Sequence, residues 1–306
     1  MGKMKLISII AVLIIFGFSI IQIANKDDEK KESTLDDKPS FKLSSNVVLN
    51  KQNTVLTYDA ILNKDDFQKM DSLSIHFNIP TEKRIDEDNN NIYSTINKTS
   101  HRKIEYISNS GYYLYRDTEK SGLAFSSKIG ETIPTDTECV SIANDILTAN
   151  GLMGNGLEFS EVKYNFEGFA EKGSDIPIEE WIYSKKVYFT TNLNGIKLEG
   201  AGGKTTVTIG ENGKIKSFMA ANREFESNGQ MNILSHDDAF AKLENGESII
   251  EYTNTMYNNR EIYIDDSDFC YYLESIYDSN PIPCYYFKGK FTDSNDDFVG
   301  YVDASK

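Results

Sequence analysis

The sequence predicts an α+β protein: a single N-terminal transmembrane helix, a β-rich region, and then two tandem modules, each a helix followed by an antiparallel sheet. Three observations predict it. The run Leu6–Ala24 (LISIIAVLIIFGFSIIQIA) carries no charge and has the length of a membrane-spanning helix. From Lys185 to Phe225, short alternating runs are separated by glycine turns, the pattern of an antiparallel meander. An amphipathic helix signal followed by strand signals occurs twice in the distal half, and such a helix buries its stripe on a sheet face. The expected boundaries are 1–24 for a signal-anchor, 25–45 for a flexible stalk, 46–133 for a β-rich ectodomain region, and 134–230 and 231–306 for the two modules.

Composition sets the class. Of 306 residues, 39% are apolar, and 18 Tyr and 17 Phe supply enough large side chains for more than one core. The net charge of −15 repels phosphate backbones, which argues against nucleic acid as a partner, and it suits a solvated exported domain. Three cysteines are too few for a disulfide framework. Either Cys270 and Cys284 pair in an oxidising compartment and leave Cys139 alone, or all three are buried thiols.

In chain order, Lys3 and Lys5 precede the apolar run, and Lys26, Lys30 and Lys31 follow it. Its place at the N-terminus suggests an inside-facing start and a single-pass protein with its C-terminal domain outside the cytoplasm. Gln22-Ile23-Ala24 is a poor cleavage site, so an uncleaved anchor is expected, with a cleaved signal peptide as the alternative. The next stretch is dense in charge and reads as the stalk. Thr54–Ile61 and Ser72–Ile79 alternate as strands do, with a helical stretch between them at Lys64–Met70. Asp86–Asn91 reads as a loop. Lys103–Ile107, Tyr112–Arg116 and Leu123–Ser127 are strand candidates, the first two joined by an Asn109-Ser110-Gly111 turn.

Pro134–Gly151 is the clearest helix. Thr135 or Asp136 caps it, Val140, Ala143, Ile146 and Leu147 share one face, and Gly151 ends it. Gly156–Phe169 and Trp181–Thr191 follow as strands. Asn194-Gly195 tolerates the positive φ of a tight hairpin, Lys204–Ile209 continues the sheet, and Gly210–Gly213 turns into Lys214–Ala220. Ser235-His236-Asp237-Asp238 resembles a capping box with Asp in place of Glu, and Ala239, Phe240 and Leu243 form the second helix's stripe before Gly246. Strands are expected at Glu261–Asp265, Tyr271–Ser275, Cys284–Lys290 and Phe298–Asp303.

Asn194-Gly195-Ile196-Lys197-Leu198-Glu199-Gly200, followed by Gly210-Glu211-Asn212-Gly213-Lys214-Ile215, resembles the glycine-turn pattern of PepSY-type domains. The helix Ser235–Gly246, the strand Pro283–Gly289 and the terminal Tyr301-Val302-Asp303-Ala304 resemble the same group. The arrangement is similar to that of YycI-like membrane-anchored extracytoplasmic regulatory proteins of Gram-positive bacteria, over about residues 134–306. Lys197 departs from the proline of the motif. The resemblance implies a non-enzymatic protein that regulates an envelope partner of the sensor-kinase or protease class, attached to the membrane through residues 6–24.

No catalytic, cofactor or metal set emerges from the residues, and none is expected. Gly200-Ala201-Gly202-Gly203-Lys204-Thr205 has a Lys-Thr pair after glycines, but Leu198 stands where a phosphate loop needs its first glycine, and the flanks are strands. Asp86, Asp88 and Asn90 open like a calcium loop, yet Asn91 and Asn97 replace the turn glycine and the bidentate Glu. His76, His101 and His236 lack zinc spacing. Ser100-His101-Arg102-Lys103 is a bare Ser-x-x-Lys without accompanying motifs. The pairs Tyr112-Tyr113, Tyr271-Tyr272 and Tyr285-Tyr286 put one ring on each sheet face, so the outer rings are candidates for a partner surface. Trp181, Tyr188, Tyr272 and Tyr286 are the named candidates. The expected function is non-enzymatic binding and modulation of an envelope protein. Peptide or cell-wall binding of a chaperone-like kind is the alternative, followed by an envelope hydrolase. Oligomeric state is left open.

Overall fold

The computed structural model describes residues 39–306 apart from 46, 48–51, 63–66, 81–84, 87–91, 119–131, 171–176, 222, 248–249 and 253–259. The elements in chain order are β1 (Ser40–Leu43), β2 (Thr54–Leu62), α1 (Phe67–His76), β3 (Ile85–Asp86), β4 (Ile92–Asn97), β5 (Arg102–Ile107), β6 (Tyr112–Asp117) and α2 (Asp136–Ala149). They continue with β7 (Leu157–Ala170), β8 (Pro177–Leu193), β9 (Ile196–Gly200), β10 (Lys204–Ile209), β11 (Ile215–Ala221), β12 (Arg223–Asn232), α3 (His236–Glu244), β13 (Ile250–Tyr252), β14 (Glu261–Leu273), β15 (Ile282–Phe291) and β16 (Asp297–Asp303). The described chain is therefore β-dominated, with three short α-helices against sixteen strands.

That corrects the expected fold class. Both helices arise where expected, but the strands after the first do not close into a sheet of their own, and those after the second, paired as β13-β16-β15-β14, also take β1 and β9 onto β14. The chain divides into two compact units that cut across the expected modules: residues 63–190 with 205–222, and residues 39–62, 191–204 and 223–306. In the first unit, β11 pairs antiparallel with β6, which comes from the region expected to be separate, as Ser217↔Arg116 through Ala221↔Tyr112. In the second, β9 pairs in parallel with β14 as well as antiparallel with β8 of its own module. Strand signals mark which segments are extended; they do not say which edges meet.

The expected anchor at residues 6–24 lies outside the described residues. Among the described residues no helix is long and apolar enough to cross a membrane, the longest being the 14-residue α2. The described fold thus gives the membrane-anchored reading no support. The expected stalk is also shorter than 25–45: Ser40–Leu43 is a strand running parallel to β14, and the Phe41 ring packs 5.5 Å from that of Phe298. Alternation of Phe41 and Leu43 with polar neighbours gives that strand one face to bury.

In the first unit the strand order is β8-β10-β11-β6-β5-β4-β3, with β7 on β8. Helices α1 and α2 cover one face. The expected strand at Ser72–Ile79 is mostly helix, because burial follows Met70, Leu73 and Phe77 at helical spacing, whereas Ile75, which strand alternation would bury, is 76% exposed. In α2 the buried stripe is Cys139, Ala143, Ile146 and Leu147. Rings fill the layer below: Phe77 stacks on Tyr115 at 3.7 Å, and Tyr106 on Tyr113 at 4.6 Å. Tyr112 and Tyr113 are both fully buried, so neither is the outward ring that alternation implied.

The second unit runs β13-β16-β15-β14-β9, with β1 also on β14, and a separate β12–β2 ribbon. Asn194 and Gly195 turn β8 into β9 with φ of 53° and 81°. Ala239 and Leu243 of α3 pack into a core with Ile262, Ile264, Tyr271, Tyr285, Phe287 and Val302. Tyr285 reaches Leu234 and Tyr271 reaches Leu56, each phenol donating to a main-chain carbonyl, at 3.2 and 2.6 Å. The Gly200–Gly203 run is a close-packed corner: Gly200 has φ of 83°, and a Cβ there would stand 2.1 Å from the Leu273 carbonyl oxygen.

One ion cluster is set inside the first unit. The Asp117 carboxylate, 1% exposed, lies 3.0 Å from Lys214 Nζ and 3.5 Å from Arg102 Nε, tying the end of β6 to β5 and to the turn before β11. Removing one partner of a buried ionic group leaves the others uncompensated. Asp117→Asn is therefore expected to lower stability by about 3 kcal/mol in urea unfolding, and a change near zero would show that water already solvates this carboxylate.

Candidate interaction surface

The long hairpin of β7 and β8 is the part of the first unit whose apolar side chains are not all used by its core. Leu157 and Val162 pack against the core, and the Phe159 ring meets Phe189 edge-on at 6.3 Å. Beyond them the rings of Tyr164 and Phe166 meet edge-on at 6.3 Å and stand out from the sheet. Phe159 and Phe166 are each 50% exposed, Tyr164 42% and Ile178 70%. Among the described residues β7 is hydrogen-bonded to β8 alone, so it is an edge strand of 14 residues.

Helix α2 holds this hairpin. Thr135 caps the helix: its Oγ1 accepts from the Glu138 amide at 3.3 Å, and Glu138 Oε2 accepts from the Thr135 amide at 2.8 Å. Asp136, next in the chain, accepts from Tyr164 Oη and from Lys185 Nζ, both at 2.7 Å. The Lys185 bond first, and the Tyr164 bond second, lower the Asp136 pKa; the Asp136 bond raises that of Tyr164. On the opposite face, Asn165 donates to Ser184 Oγ at 2.9 Å. The ammonium groups of Lys163 and Lys186 lie 5.2 and 5.3 Å from the Tyr188 ring centroid. Burial, then the neighbouring Lys163, lowers the Lys186 pKa. Gly168 permits the close approach of the strands, since a Cβ there would sit 2.5 Å from the Glu179 carbonyl oxygen.

The four ring residues expected to meet a partner are divided between the two units. Trp181 and Tyr188 are half-buried in the first unit. Tyr272, in the second, is 3% exposed and packs with Tyr301, its ring 4.5 Å away, so it is a core residue and not a surface one. Tyr286 is half-buried, with Lys288 Nζ 4.1 Å from its ring centroid. Phe159, Tyr164 and Phe166 were missed as candidates. Their alternation was legible as a strand, but not that the strand would lie at an edge.

Cys270 and Cys284 stand opposite each other in the β14–β15 ladder, yet both are free thiols, 0% and 1% exposed. Burial pushes both thiols up, and for Cys270 the neighbouring Cys284 adds to it. A thiolate is the reactive form, so neither thiol is reactive in the folded chain. Native protein at about pH 8 is expected to resist a thiol reagent, with all three cysteines titrating in urea; a single reactive thiol in urea would show Cys270 joined to Cys284.

His236 is 2% exposed at the start of α3. Its Nε2 lies 2.8 Å from Ser267 Oγ, which donates to the Tyr286 carbonyl at 2.7 Å, so Nε2 carries the proton. Burial lowers the pKa below the ordinary 6.5, against the smaller opposing effects of Asp237 and Asp268. The unfolded chain therefore takes up a proton that the folded chain refuses, and stability falls as pH drops below about 6.5, until the folded imidazole itself titrates. Urea unfolding at several pH values is expected to show this loss, reduced in His236→Gln; identical profiles for the two proteins would remove His236 as its source.

A cleft of about 440 Å³ opens in the second unit between the β12–β2 ribbon and the start of β15, with Thr57, Asn228, Asn280, Ile282, Asp303 and Ser305 in its wall. Among the described residues no group of three or more His, Cys, Asp or Glu is placed to hold a metal ion. The Asp86–Asn90 stretch falls, but for Asp86, outside the described residues.

No family model and no curated protein matches this chain. Among solved structures, an uncharacterized protein from Eubacterium rectale ATCC 33656 is similar over 87% of this chain and 89% of its own, at 12% identity and a TM-score of 0.49.

Proposed function

We propose that the described part of this chain is a non-enzymatic binding module that docks on and modulates another envelope protein, of the sensor-kinase or protease class. The observation that supports it is the β7 edge, long, hydrogen-bonded on one side among the described residues, and carrying three half-exposed rings in a row. Exposed edges with apolar side chains pair with other chains, and folded proteins normally blunt them. Anchored below by the Asp136 bonds to Tyr164 and Lys185, the hairpin keeps these rings in place before a partner arrives, which lowers the ordering cost of association.

A second reading, binding of a peptide or of cell-wall material, is favoured by the amide- and hydroxyl-lined cleft at Thr57, Asn228, Asn280 and Ser305. In-cell cross-linking of the full-length chain, with mass spectrometry of the captured species, separates the two. The expected result is one dominant partner protein whose capture falls about tenfold or more in Phe166→Lys, because charge is placed in a desolvated contact. Capture of unrelated wall-associated species, unchanged in Phe166→Lys, overturns the docking proposal in favour of the second reading.

A further inference from the structure

The charges around the β7 edge are unevenly placed. Lys185 is engaged by Asp136, and Lys163 lies 3.1 Å from Glu161 and over the Tyr188 ring. All three lysines of the hairpin's described residues, Lys163, Lys185 and Lys186, thus lie toward the helix-covered end. The distal stretch, residues 164–168 of β7 and 178–181 of β8, has no cation and carries Glu167, Glu179 and Glu180, each exposed. Alternation along β7 puts Phe166 on the face of Tyr164, and Glu167 on the other face with Lys163 and Asn165.

We infer that this edge takes up an extended, basic segment of its partner as an added strand, apolar residues of that segment lying on the Tyr164–Phe166 side and its Lys or Arg residues on the Glu167 side. The inference rests on the protein-binding reading above. A strand added at an edge presents alternate side chains to the two faces, so an alternating apolar and basic segment satisfies both at once. A second copy of this chain is a poor occupant: pairing β7 with a second β7 gathers two sets of Glu158, Glu161 and Glu167 along one seam, in a protein of net charge −15. Anionic lipid and nucleic acid are repelled by the same carboxylates.

The test uses the full chain and a labelled synthetic peptide alternating lysine with valine and phenylalanine, read by fluorescence anisotropy. Expected are saturable binding that weakens with salt, no binding of the counterpart with glutamate for lysine, and at least about tenfold weaker binding in Glu167→Lys/Glu179→Lys. Phe166→Ser is expected to weaken binding without altering its salt dependence, which separates the apolar contribution from the ionic one. Thermal unfolding of each variant confirms the fold, and Glu167→Gln/Glu179→Gln serves where the reversal fails to fold. Equal binding of the two peptides, or undiminished binding by the charge variants, overturns the inference, as does self-association of the unliganded chain lost in Phe166→Ser. If the charge-reversed chain still captures the cross-linked partner while Phe166→Lys does not, the docking function stands and the basic-segment inference alone fails.

Discussion

Strand β14 takes partners on both of its edges, and the second unit depends on that. Along one edge β15 pairs antiparallel, from Ile262↔Phe291 to Tyr272↔Ile282. Along the other, β1 occupies the first part and β9 the last, both in parallel. Three segments far apart in sequence are thereby held by one backbone, and the close corner at Gly200 is what lets β9 approach Leu273. Parallel neighbours need long connections, and here those connections pass through the first unit. The expected first module is not self-contained in this arrangement, because its β9 joins β14 and its β11 joins β6.

The first unit reaches a different solution to the same problem. Its sheet buries rings on the helix-covered side, where α1 and α2 supply Met70, Leu73, Ala143 and Leu147. The hairpin of β7 and β8 extends past the end of that cover, and its last rings have no core to enter. Asp136 makes the end of the cover rigid by serving two roles: its backbone begins α2, and its carboxylate holds Tyr164 and Lys185. A negative side chain at a helix N-terminus is favourable in itself, so the clamp agrees with the local preference of the helix. The exposure of these rings is thus a consequence of where the helical cover ends.

Particular residues show which features could be read in advance. The Thr135 cap, one of the two offered for that helix, the Ser235 cap, and the turn at Asn194-Gly195 are local: each is decided by side chains three or fewer residues apart, and each was legible. Ser72–Ile79 misled, since Leu73, Ile75, Phe77 and Ile79 satisfy period two while Met70, Leu73 and Phe77 satisfy the helical period. Contact with the sheet chose between them. Tyr272 misled for another reason: its strand is covered on both faces, so outward alternation did not mean exposure. Of the candidate rings, Trp181 and Tyr188 lie on the β7–β8 hairpin, but the rings along β7 were not distinguished from core rings.

The amino-acid sequence by itself determined the local elements of the described chain, its acidic surface and its wealth of rings, because capping, turn chemistry and periodicity act over a few residues. Only the tertiary structure decided which strands are neighbours, which rings are left outside, and that Cys270 faces Cys284. Those outcomes rest on backbone hydrogen bonds between segments up to some two hundred residues apart, such as β1 with β14, and a main-chain N–H or C=O carries no mark in the sequence of the partner it will find.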